Sequence, residues 1–108
     1  MLSQEFSHRI VIEQSTPART SSGGVTDVWT AYAERWAKPA YRGGREMAAA
    51  LQVVPSADVV WIVRAPCAAT AKMRIVYGLR LFDIVAVDDL SDVDVVRLIC
   101  KEGPRIGR

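Results

Sequence analysis

The segment "KMRIVYGLRLFDIVAV", Lys72 to Val87, limits the fold more than any other part of the chain. Met73, Ile75 and Tyr77 alternate with Arg74 and Val76, and Phe82, Ile84 and Ala86 alternate again after Gly78. Period-two patterning places one face of each stretch on a core. The glycine between them can take φ > 0, which suits a tight reversal in the "YGLR" stretch. A lone hairpin is at best marginally stable in water, so the rest of the chain has to complete the sheet.

Further strand signals lie on both sides. "RIVIEQ" (Arg9–Gln14) puts Ile10 and Ile12 on one face and Arg9, Val11 and Glu13 on the other. "STPARTSSGG" (Ser15–Gly24) is polar and turn-rich, and reads as a loop. The β-branched and aromatic run that follows suggests one short strand near Val25–Thr30 and a second near Glu34–Ala40. Pro39 ends that second strand or puts it on an edge. "ADVVWIVRA" (Ala57–Ala65) and "VVRLICKE" (Val95–Glu102) read as two more strands, with "DDLSDVD" (Asp88–Asp94) as a turn and "GPRIGR" as a loose tail.

Between the strands lies "RGGREMAAALQVVP" (Arg42–Pro55). Its good helix formers predict about two turns, with Met47, Ala50 and Leu51 on one face and Pro55 as the stop. A helix so short needs something to pack on. Five to six short strands and one short helix give a mainly β class, a small β-barrel or β-sandwich in one domain over 1–108, with its ordered core at about 8–102. Several strands are apolar on both faces. Sheet closure covers one face; a covering helix or a neighbouring subunit covers the other.

Charge and chemistry narrow the function. The chain has 14 bases and 12 acids, so its balance of +2 does not argue for a nucleic-acid partner. Residues 1–80 hold ten bases and six acids, whereas Leu81–Val96 hold five acids and no base. That acidic edge is either a solvated turn or one side of a head-to-tail contact with a basic edge. His8 is the one histidine and has no second ligand nearby, so no metal site is expected. Cys67 and Cys100 match no zinc or redox spacing and read as small buried residues, with a disulfide between them left open. "GGRE" is neither a phosphate loop nor a dinucleotide fingerprint, and no serine sits in a nucleophile-elbow context. No cofactor and no enzymatic activity are expected. Trp29, Trp36 and Trp61 fall on predicted strands and read as core anchors rather than base-stacking platforms. The N-terminus does not read as a signal peptide, and no apolar run reaches membrane-spanning length, so a soluble cytosolic protein with no membrane contact is expected.

Taken in order, "HRIVIEQ", "GGVTDVWTAY", "ERWAKPAYRGGRE", "WIVRA", "KMRIVYGLRLFDIVAVDDL" and "VVRLICKE" resemble the head-tail joining family of tailed bacteriophages, also called head-closure, adaptor or stopper proteins. The resemblance covers about residues 8–102. It implies a small β-barrel subunit of a six- or twelve-fold homo-oligomeric ring in the virion neck, assembled in the host cytoplasm. Portal and adaptor proteins would lie above the ring and tail proteins below, with transient contact to genomic DNA in the channel. In some members a long inserted loop plugs that channel, and Tyr41–Ala57 match its position by order. On this reading Arg42, Gly43, Gly44, Arg45 and Glu46 form a lumen-side or hinge segment. Asp88, Asp89, Asp92 and Asp94 lie at a subunit or partner interface. A tail-completion or tail-terminator ring protein is the neighbouring alternative, and a small nucleic-acid-binding barrel the more distant one.

Overall fold

The computed structural model describes residues 6–41, 45–90 and 94–103. The elements in chain order are β1 (His8–Arg19), β2 (Val25–Tyr41), α1 (Arg45–Val53), β3 (Val59–Arg64), β4 (Arg74–Tyr77), β5 (Arg80–Leu90) and β6 (Val95–Glu102). All pairings are antiparallel, and the order β1-β2-β3-β6-β5-β4 closes into a barrel through β4 on β1. The mainly β expectation with one short helix holds, and closure selects the barrel over the sandwich.

β3 shows how the wall is sealed. Val59, Trp61 and Val63 point into the barrel with Ile10, Ile75, Phe82 and Leu98. Val60 and Ile62, on the opposite face, lie beneath α1 with Met47, Ala50 and Ile99. The double-sided apolar run is therefore covered within the chain, by closure on one side and by the helix on the other. Met47 is fully buried and Ala50 nearly so, which makes the predicted face of α1 its docking face. Phe6 extends this outer layer, with the cations of Lys38 and Arg64 over its ring at 5.9 and 5.5 Å.

The β4–β5 hairpin turns at Gly78 and Leu79, with Tyr77 opposite Arg80. Gly78 has φ 62°, a conformation that strains any residue with a Cβ. The expected grouping of Phe82, Ile84 and Ala86 breaks, however. The register slips between Ile84 and Ala86, so Val85 is an extra residue and Ala86 joins the outer layer under α1. One inserted residue reverses the alternation, and Val87 turns inward in its place.

Other boundaries also shift. β1 runs on to Arg19, so the predicted loop at 15–24 shrinks to the bend at 20–24. There Thr20 N–H donates to the Gly24 carbonyl at 2.9 Å, and Gly23 adopts φ 92°. The two strands expected over Val25–Ala40 are one strand, because the register shift opposite Ile12 and Glu13 absorbs Tyr32 without ending the ladder. Pro39 lies opposite Trp61 of β3 but beyond the last β1 pair, His8 with Ala37, so the strand has an open side for its missing N–H. β5 extends through Asp88 and Asp89, which the sequence placed in a turn, because each faces a residue of β6.

Both cysteines are free thiols. Cys100 lies inside the barrel and donates to the Leu98 carbonyl at 3.2 Å. Burial, reinforced by the nearby Asp83 carboxylate, pushes its thiol far above the ordinary value of 9.0. As pH rises past about 9 the unfolded chain releases this proton while the native barrel keeps it, so stability falls with pH in that range. We expect an aromatic disulfide reagent at pH 8 to modify the partly exposed Cys67 and to reach Cys100 only after denaturant is added. Rapid modification of both thiols in the native protein would contradict this placement.

Candidate interaction surface

The described residues contain no group of three or more His, Cys, Asp or Glu side chains placed to hold a metal. His8 instead closes one end of an aromatic cluster, with ring centroids 6.0 Å from Trp61 and 5.3 Å from Tyr77. The features with functional potential are exposed surfaces.

The first is an arm. β4 pairs with β1 only at Val11–Glu13, and β3 pairs with β2 only at Ala37–Tyr41. Beyond those limits β1 and β2 continue as a two-stranded ribbon that ends at the pair Arg19–Val25. It accounts for the elongated outline of 50 × 28 × 27 Å. Val25 is 70% exposed and Val28 41%, while Tyr32 at the bulge and Trp36 (54% exposed) extend the apolar surface toward the barrel. Trp36 is thus not a core anchor, contrary to expectation. It faces outward beside Arg9, whose guanidinium lies 5.7 Å from the ring and pairs with Glu34. Trp29 is half-buried on the arm, and Trp61 is the core tryptophan.

A latch holds the base of the arm. Arg74 of β4 donates from Nε to Glu13 of β1 at 2.7 Å and lies 4.2 Å over the Trp29 ring of β2. The pair is about four-fifths buried, so it is less screened by water than the surface pair of Arg9 and Glu34. Arg74→Ala is expected to cost about 1–2 kcal/mol through the lost charge-assisted hydrogen bond and cation–π contact. The measurement is amide exchange, which should accelerate over Glu13–Arg19 and Val25–Ala31 and leave β3 and β6 protected. Uniform acceleration would mean that Arg74 supports the whole barrel instead.

The second surface is the acidic edge. Asp88 sits opposite Arg97 on β6, with a 3.6 Å contact between Oδ2 and Nη1. Asp94 adopts φ 67° just before β6 and accepts from Arg64 at 3.0 Å. Asp89 is exposed beside them on β5. Asp92 lies outside the described residues. The edge is therefore partly neutralised by cations of its own chain, Arg97 on the next strand and Arg64 from β3, which is distant in sequence. Beside it, a groove of about 190 Å³ runs between α1 and the β5–β6 wall, lined by Ala49, Val53, Ala86 and Ile99 with Asp88 and Arg97 at the rim.

Of the segment expected to be a hinge or lumen element, Arg42, Gly43 and Gly44 lie outside the described residues. Arg45 and Glu46 form the first positions of α1, and the helix that follows packs on the barrel wall. The sequence reading missed the arm. The signal it could have used is the β-compatible run from Val25 without a break to Tyr41, opposite an equally extended Ser15–Arg19.

Comparison with known proteins accords with this architecture. The model of the phage head completion protein family matches residues 1–103. No curated protein matches the chain significantly. Among solved structures, the solution structure of protein SF1141 from Shigella flexneri 2a superimposes with a TM-score of 0.70 at 19% identity, covering 95% of this chain and 97% of that one. A chain from the virion of a native gene transfer agent particle superimposes with a TM-score of 0.56 at 20% identity, covering 88% and 93%. At such identities the superpositions establish the shared fold. The family match spans every strand of the barrel together with α1, and on that basis the chain belongs to the phage head completion protein family.

Proposed function

We propose that this protein is a subunit of the phage neck, a head-closure or head-tail connector ring below the portal and its adaptor that retains packaged DNA and docks the tail. The observation that carries the proposal is the family match over residues 1–103. Physical features support it. The described surface offers an arm, a groove and an acidic edge, which are means of contact between proteins rather than of catalysis. A formal charge of +2 lets DNA pass without the strong, salt-sensitive hold that many phosphate contacts would produce. In this proposal Asp88, Asp89, Asp92 and Asp94 lie at a subunit or partner contact. Arg42, Gly43, Gly44, Arg45 and Glu46 form the lumen-side or hinge segment, whose last two residues open α1.

The test is assembly without the protein. Heads should package DNA and then lose it, while tails of normal length accumulate unattached. Heads that keep their DNA beside tails of irregular length would instead make this a tail-completion protein.

A further inference from the structure

Barrel closure leaves few backbone edges open, and those that remain are unequal. On the arm, β1 exposes one edge from Gln14 to Arg19, and β2 exposes the other from Val25 to Trp36. No turn or loop backbone group among the described residues bonds to either. Pro17 stands on the β1 edge, directly opposite Asp27. Proline has no N–H, so this pair is one whose backbone groups point away from the partner strand. The β1 edge therefore lacks a donor there and carries a ring in its place, which is a common guard against strand addition. By the same geometry the N–H and C=O of Asp27 point out from the β2 edge. That edge has no proline and no lysine between Val25 and Trp36; it carries the charged Asp27, Glu34 and Arg35, and its β-branched and aromatic residues favour strands.

A second incomplete edge lies on the barrel. β4 flanks β5 only from Arg80 to Asp83, and the Ile84 N–H donates to the Met73 carbonyl at 3.2 Å. From Val85 onward no described strand pairs with that side of β5. This stretch includes the exposed Val85 and the acidic Asp88. The arm, for its part, carries the exposed Arg19, which makes no ion pair among the described residues.

We propose that the β2 edge of the arm, Val25–Trp36, adds as a strand to the β5 edge beyond Ile84 of a second copy of this chain, with Arg19 brought toward the partner copy's acidic edge. The two surfaces differ, so the contact is head-to-tail and repeats from copy to copy, closing a ring when the rotation allows. The proposal rests on the ring reading above and names the contact that would build it.

The experiment uses the full chain, both concentrated and purified and in assembled particles. Cysteine is introduced at Thr26, Val28 or Thr30, one at a time, together with Val85→Cys, followed by oxidation; each single-cysteine variant serves as a control for Cys67 and Cys100. A ladder of dimer and higher species that requires both new cysteines in one chain is expected. Dimers from an arm cysteine alone would show symmetric arm-to-arm pairing and overturn the proposal. So would adducts only with another particle protein, or no adduct in either setting. Asp27→Pro should abolish self-association and leave the thermal midpoint of the monomer close to wild type, whereas Asp27→Ala should retain both. Self-association of Asp27→Pro at the wild-type level would likewise overturn it. Failure of the neck reading registers separately, as absence of the unmodified chain from particles.

Discussion

Trp61→Ala is expected to unfold the barrel under conditions where the wild-type chain remains native. Trp61 has no exposed surface and sits where β3 meets the barrel axis. Its ring lies 5.4 Å from both Tyr77 of β4 and Phe82 of β5, and His8 of β1 closes the cluster. Strands from opposite walls therefore share one side chain, and removing it leaves a cavity that a closed barrel cannot collapse to fill. Truncations of this kind cost about 3–5 kcal/mol. Domains of this size have about 5–15 kcal/mol in total, so the loss consumes much of the stability. Denaturant titration followed by far-ultraviolet circular dichroism should show a large fall in midpoint. Trp61→Phe should be much milder, because it keeps an aromatic ring and removes an indole N–H that is buried without an acceptor among the described residues. Equal damage from both substitutions would mean that the site tolerates only the indole shape.

Met47→Asp should produce a different failure, loss of the helix with survival of the barrel. Met47 is fully buried between α1 and the outer faces of Val60, Ile62 and Ile99. A carboxylate there would be buried among the apolar side chains of Val60, Ile62 and Ile99, so docking becomes unfavourable by several kcal/mol. A nine-residue helix has little stability of its own once released. The uncovered outer face of β3 and β6 would then be a large apolar patch. The expected readouts are new binding of a hydrophobic dye, proteolytic cleavage within Arg45–Val53, and retained slow exchange for the β3–β6 ladder. Collapse of that ladder would show instead that the helix is part of one cooperative unit with the barrel.

Much of this architecture is legible locally. The alternation through Met73–Ile84, the turn at Gly78 and the apolar face of α1 are each written in adjacent residues, and the structure keeps them. The double-sided run Val59–Val63 likewise announces a strand that needs covering on both faces. Candidate sites were less legible. The acidic residues between Leu81 and Val96 stand out in the sequence, yet Arg97 as the partner of Asp88 and Arg64 as the partner of Asp94 are recognised only when β6 and β3 are aligned beside them. Trp29, Trp36 and Trp61 look alike in a strand pattern. Register sends Trp61 into the barrel, Trp36 to solvent, and Trp29 onto an arginine of another strand.

By itself, then, the sequence determined the element types and a mainly β chain sealed by one short helix, because side-chain periodicity and turn chemistry act over a few residues. Tertiary structure alone decided where ladders stop and where they slip. Tyr32 is absorbed and Val85 inserted because the facing strands, at Ile12–Glu13 and at Ile99–Cys100, continue past them. Each insertion inverts which residues face the core. The arm arises from the same kind of non-local limit: β1 and β2 keep pairing after β3 and β4 have ended, so the length of the free ribbon is set by where those strands, distant in sequence, stop.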